Sequence, residues 1–177
     1  MVKFKFLNLD QITNIGLTVC PHKKFSDERG YLTIQIESNF DNFDKIIIKE
    51  SYSEPLVGRG LHYQSHVYPQ TKIINVLKGK ILDVVFDPTD LSKTVYGFYL
   101  SENDCKSIII PHNFAHGFIS LEPTNFRYTC LGEYSEKHET TYNILDDISK
   151  ILDLGTILLS DKDRVGKKLR IFNDTKA

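Results

Sequence analysis

The chain has 177 residues, the size of one ordinary domain, and is long enough to bury roughly two-thirds of the surface its unfolded form exposes. Hydrophobic residues make up 41% and aromatics 11%, with no Trp, which excludes a disordered chain and suits a β-rich core lined with rings. Lys and Arg number 22 against 23 acidic residues, so no global field gathers nucleic acid or an anionic membrane, and an anionic ligand must be held by a local group of cations.

Strand-period runs, punctuated by Gly, Pro, Asn or Asp, predict strands over 3–7, 31–37, 45–52, 60–66, 72–77, 80–87, 96–100, 107–110, 115–121 and 125–131. Within 72–86 two β-branched runs meet at Lys78-Gly79, which predicts a hairpin with glycine taking positive φ. A short helix is predicted within 144–154, and a charged tail begins at Leu158-Leu159-Ser160. No linker, repeat or low-complexity segment interrupts 1–177, which reads as a single domain with the strand spacing of a sandwich or barrel. Cys20, Cys105 and Cys130 lie far apart and match no CxxC or zinc spacing, so they read as reduced and structural. With no apolar run of roughly 18 to 20 residues and no signal-peptide pattern in MVKFKFLNLD, a soluble cytoplasmic protein is the expectation.

Alternation along 60–66 sends His62, Gln64 and His66 to one face and Leu61, Tyr63 and Ser65 to the other. In Phe114-Ala115-His116-Gly117-Phe118, His116 shares a face with two phenylalanines, as a residue projecting into an aromatic barrel mouth does. A lone histidine on an apolar face is more often a satisfied core residue, but two such strands in one small domain raise the case for chemistry. A metal centre built from an HxH pair, a following Glu and a later His lacks its carboxylate here, because no Glu lies between His66 and Gly79. The residues therefore read as a site without a metal.

Five stretches carry a family resemblance in the same order and at similar spacings: Phe25-Ser26-Asp27-Glu28-Arg29-Gly30, Arg59-Gly60-Leu61-His62-Tyr63-Gln64, Lys72-Ile73-Ile74-Asn75-Val76-Leu77-Lys78-Gly79, Ile110-Pro111-His112-Asn113-Phe114-Ala115-His116-Gly117-Phe118 and Leu159-Ser160-Asp161-Lys162-Asp163. Collinear over nearly the whole chain, they resemble the dTDP-4-dehydrorhamnose 3,5-epimerases. The resemblance implies an all-β, cupin-type jelly-roll barrel with a few short C-terminal helices, metal-independent, using no cofactor and usually homodimeric. It also implies inversion of carbons beside the 4-keto group of a nucleotide-diphosphate sugar, in the making of cell-surface polysaccharide.

Such chemistry needs a base for the α-proton, a cation or donor for the enolate oxygen, and an acid for the opposite face. By resemblance His62 is the base, and a free imidazole titrates near working pH. Asp163 matches the carboxylate that orients it, Lys72 the lysine beside the keto oxygen, and Tyr134 the tyrosine that returns a proton. Arg29, Arg59 and His116 match positions contacting diphosphate and sugar, and Glu28, Ser51 and Gln64 complete the expected substrate-binding set. Two stretches depart from the family pattern. Ile48-Lys49-Glu50-Ser51-Tyr52 replaces a Gln and an Asn that touch the nucleotide, and the segment after Tyr134 has no Trp. Both fall on nucleotide recognition, so a GDP-linked hexose or heptose is an alternative substrate. A 3,4-ketoisomerase of the same barrel and a non-catalytic sugar-binding module are alternative functions.

Overall fold

A computed structural model of the protein describes residues 2–40, 42–65 and 67–173. The chain opens with β1 (Val2–Phe6), a 3-10 turn at Ile12–Ile15, β2 (Thr18–Pro21) and the hairpin of β3 (Lys23–Asp27) and β4 (Gly30–Ile34). Next come β5 (Ile46–Ser53), β6 (Gly58–Gln64), β7 (Thr71–Lys78), β8 (Lys80–Phe86), β9 (Thr94–Ser101), β10 (Lys106–Ile110), β11 (Ala115–Ser120) and β12 (Thr124–Leu131). The C-terminal part adds β13 (Glu139–Asn143), α1 (Leu145–Ile151), α2 (Asp161–Arg164), β14 (Lys167–Lys168) and β15 (Ile171–Asn173).

The strands form an eight-stranded sheet in the order β14-β13-β6-β11-β8-β9-β1-β15 and a five-stranded sheet in the order β2-β10-β7-β12-β5, with β3 and β4 paired only to each other. The two larger sheets curl into the cupin-type jelly roll. Strand alternation explains the layering. In β8, Leu82, Val84 and Phe86 join an outer layer with Phe4, Leu61, Leu145, Ile148 and Leu159, under α1. Ile81 and Val85 point the other way, into the space between the sheets, where they meet Ile74, Ile108, Phe118 and Phe126. A strand buried on both faces reads as a near-continuous apolar run, and 81–86 is one interrupted only by Asp83.

Ten expected strands are present with ends shifted by a few residues, and the expected helix is Leu145–Ile151. The hairpin at Lys78-Gly79 is not. Among the described residues β7 pairs with β10 and β12, whereas β8 pairs with β9 and β11. Lys78-Gly79 is a corner at which the chain changes sheets. Gly79 has φ +86, and a Cβ there would lie 2.5 Å from the Pro123 carbonyl oxygen, so glycine serves a corner as it would serve a hairpin. Two β-branched runs meeting at glycine carry the same local signal in both cases, and only distant partners decide between them. Among the described residues, β2, β3, β13, β14, β15 and α2 are further elements that the periodicity did not predict; most are short or charged.

Candidate active site

A cavity of about 450 Å³ lies between the two sheets, within the size range of small-ligand sites. The eight-stranded sheet supplies His62 and Gln64 from β6 and His116 and Phe118 from β11. The five-stranded sheet supplies Lys49 from β5, Lys72 from β7, and Phe126, Tyr128 and Cys130 from β12. Both walls carry aromatic rings, the eight-stranded sheet adding imidazoles and the five-stranded sheet ammonium groups.

His62 and His116 are cross-strand partners in the β6–β11 ladder, just before a register shift between His116 and Phe118. The shift sits where two glycines meet. A Cβ on Gly60, whose φ is +101, would lie 2.7 Å from the His116 carbonyl oxygen, and one on Gly117 would lie 2.4 Å from the Arg59 carbonyl oxygen. This close backbone approach brings the two histidine strands together and leaves no room for side chains at either glycine.

His62 Nε2 lies 2.7 Å from Asp163 Oδ1. Asp163 is the third residue of α2, a single turn whose start is capped by Ser160, the hydroxyl accepting from the Asp163 backbone N–H at 3.1 Å. Burial raises the Asp163 carboxyl pKa, but hydrogen bonds from His62, the Gly60 backbone N–H and Ser160 outweigh it, so the group is held below the ordinary carboxylate value. An ionised carboxylate behind an imidazole fixes the ring and stabilises its protonated form.

His116 has a carboxylate of its own. Its Nε2 lies 2.8 Å from Asp83 Oδ2, with both side chains buried. Asp83 Oδ1 has no hydrogen-bond partner among the described residues. Burial pushes the Asp83 carboxyl above its ordinary value, against the pull of His116 and Lys72. Lys72 Nζ donates to the His62 carbonyl oxygen at 3.0 Å. Burial lowers the Lys72 pKa, partly offset by Cys130, Glu139 and Asp83. Arg59 donates from Nε to Ser53 Oγ and from a terminal nitrogen to the Tyr52 carbonyl oxygen, both at 3.0 Å. Arg59 is also among the residues that line the cavity.

Tyr134 also reaches the cavity. Its Oη donates to Glu139 Oε2 at 3.3 Å, and Lys49 Nζ lies 5.2 Å from its ring centroid. The loop that carries it is clamped by Gln64, whose Nε2 donates to the carbonyl oxygens of Tyr68 and Glu133 at 2.8 and 2.9 Å and whose Oε1 accepts from the Ser135 N–H at 2.8 Å.

The family model described as dTDP-4-dehydrorhamnose 3,5-epimerase matches residues 12–170. The chain belongs to that family. A Methanothermobacter thermautotrophicus protein of that name is 30% identical, over 96% of this chain and 97% of the relative. A Shigella flexneri protein of the same name is 33% identical, over 82% and 87%. Among solved structures, a Legionella pneumophila dTDP-6-deoxy-D-glucose-3,5-epimerase in complex with dTDP-4-keto-L-rhamnose superposes with a TM-score of 0.72 at 31% identity, covering 86% of this chain and 87% of that one. The dTDP-4-dehydrorhamnose 3,5-epimerase of Bacillus anthracis, with TDP and PPi bound, gives 0.73 at 29% identity, over 87% and 94%. Family membership makes this chain an isomerase of the carbohydrate-epimerase type.

In this epimerase family member the cavity brings together His62, Asp163, Lys72, Tyr134, Arg59, His116 and Gln64. Gln64 lines the cavity with both of its amide atoms engaged, Nε2 with the Tyr68 and Glu133 carbonyl oxygens and Oε1 with the Ser135 N–H. Three expected substrate contacts do not line the cavity of their own chain. Glu28 and Arg29 sit at the tip of the β3–β4 hairpin, where Arg29 pairs with Asp27 at 2.5 Å, because that hairpin joins neither large sheet. Ser51 is on the same face of β5 as Lys49, but its buried hydroxyl has no partner among the described residues and lies outside the lining. His66 lies outside the described residues. Among the described residues no group of three or more His, Cys, Asp or Glu side chains could hold a metal ion, and no helix is long and apolar enough to cross a membrane.

The cavity-lining Glu139 and Lys162, and Asp83 buried behind His116, are charges to which the sequence reading gave no role. Asp83 had a signal: a carboxylate inside the apolar run Lys80–Phe86 must find a partner when buried. Glu139 had none, since only the β13–β6 register sets it opposite Gln64.

Proposed function

We propose that this chain inverts C3 and C5 of a dTDP-linked 4-keto-6-deoxyhexose, yielding dTDP-4-dehydrorhamnose. The observation that supports it most is the His62–Asp163 pair, opening into a cavity shared with Lys72 and Tyr134, in a chain of this family. In this reading His62 takes the proton from the carbon beside the keto group, and the electron pair moves onto the keto oxygen as an enolate. Lys72 and the donors around it stabilise that charge in a partly dry site. Tyr134 returns a proton to the opposite face, the carbonyl re-forms, and solvent resets both groups. Arg59 and His116 hold the diphosphate and sugar, with Arg suited to phosphate by its planar fork of donors.

The nucleotide preference belongs to the same proposal. Lys49 stands in the cavity within the stretch that departs from the family pattern, so thymidine-linked and guanosine-linked 4-keto sugars are to be compared directly. Incubation in deuterated water, followed by mass, gives the decision. Two deuterons gained on the dTDP-linked sugar are expected. One would limit inversion to a single carbon, gain only on the GDP-linked sugar would change the nucleotide, and none on either would overturn the reading.

A homodimer completes it. Phe25, Tyr31 and Leu32 on the hairpin and Ile46, Ile48 and Tyr52 on one face of edge strand β5 are exposed, apolar surface of the kind a second copy would cover. Since Glu28 and Arg29 do not line their own chain's cavity, contact between them and a substrate would be with one held by a second copy. Sedimentation at twice the mass of 20.4 kDa is expected, and sedimentation as a monomer would remove this part of the proposal.

A further inference from the structure

The Tyr134 phenol ends in a pair of charges that the chemistry above leaves unused. The Glu139 Oε2 that accepts its hydroxyl also accepts Lys162 Nζ. Glu139 is the first residue of β13 and its side chain is only 9% exposed. Lys162 stands immediately before Asp163 on α2. A single carboxylate thus ties the loop carrying Tyr134 to the helical turn carrying the partner of His62.

We propose that Glu139, bridged to Lys162, is a positioning residue that orients the Tyr134 hydroxyl and governs when its proton leaves. The inference rests on the reading of Tyr134 as the group that returns a proton to the sugar. A carboxylate accepting from the phenol favours the protonated form, so the donor stays loaded between turnovers. The ammonium beside the same carboxylate has the opposite effect and stabilises the phenolate left after transfer. The electrostatics agree: burial, then the Glu139 charge, raise the Tyr134 pKa while Lys162 lowers it. Among the described residues the other groups facing the phenol are Lys49 from β5, Glu136 from the loop and Tyr128 from β12, and none of them changes in the variants below.

The alternative role is a structural tie at the barrel rim, which would affect stability alone. Titration of tyrosine labelled with carbon-13 at Cζ separates the two, with the Tyr134 signal identified by its loss in Tyr134→Phe. Glu139→Gln should lower the Tyr134 midpoint, and Lys162→Gln should raise it, each by on the order of one pH unit. Lys162 is half exposed, so its replacement leaves the fold intact even where Glu139→Gln does not. The alkaline limb of kcat should move in the same direction as each midpoint. Midpoints that stay in place, or that move together in one direction, overturn the inference. Because the titration is read without substrate, it stands apart from the donor reading itself, which fails if Tyr134→Phe keeps full turnover.

Discussion

Among the described residues two His–Asp pairs are of almost equal length, 2.7 Å for His62–Asp163 and 2.8 Å for His116–Asp83, built on facing residues of one ladder. Their surroundings differ. The side chain of His62 is 33% exposed and that of His116 is 7% exposed. Burial penalises both carboxylates, but Asp163 is met by several donors and stays below its ordinary pKa, whereas Asp83 keeps one oxygen unpaired and is pushed above. The number of donors reaching a carboxylate, not the pair itself, decides whether the histidine beside it is an accessible base backed by an ionised group or a mostly buried ring held in the cavity wall.

The largest effect should come from His62. His62→Asn is expected to cut solvent exchange at the sugar by about a hundred- to ten-thousand-fold, while His116→Asn should lose about tenfold or less in kcat and act mainly on KM. Equal losses in kcat would erase the distinction between the pairs.

The two aspartates should separate next, in stability against pH. The depressed Asp163 carboxyl adds stability that is present above the unfolded carboxylate value and is lost as pH falls through the lower folded one. The raised Asp83 carboxyl works the other way: its contribution is present below the unfolded value and is lost as pH rises through the folded one. Asp163→Asn should therefore cost about 1.5–3 kcal/mol at neutral pH, with the gap from the parent narrowing in acid. Asp83→Asn should cost little at neutral pH and relatively more in acid. Thermal melts between roughly pH 3 and 8 check both, and parallel curves for the two variants would break the comparison.

Gly117→Ala tests the geometry that sets the pairs side by side. A Cβ 2.4 Å from the Arg59 carbonyl oxygen forces β6 and β11 apart, for an expected loss of about 1–3 kcal/mol in denaturant unfolding.

Much of this was legible in the order of residues. The alternation in Gly58–Gln64 did send His62 and Gln64 to one face, and the motif around Lys162-Asp163 did mark a carboxylate that meets His62 across 101 positions of chain. Gln64 shows the limit. Its face was readable, but its partners, Tyr68, Glu133 and Ser135, are gathered by a loop whose path no periodicity describes. Arg29 shows it differently: the motif was present, yet the hairpin that bears it stands outside both large sheets.

The sequence by itself determined the strand-rich class, the family and the chemical types in the site, because alternation and motif spacing are local properties of a chain. The tertiary structure alone decided that Lys78-Gly79 turns a corner between sheets, that Asp83 serves His116, and that Glu139 meets both Tyr134 and Lys162. Those outcomes depend on register between strands far apart in the chain, and register is chosen by the burial of both sheets together rather than by any one segment.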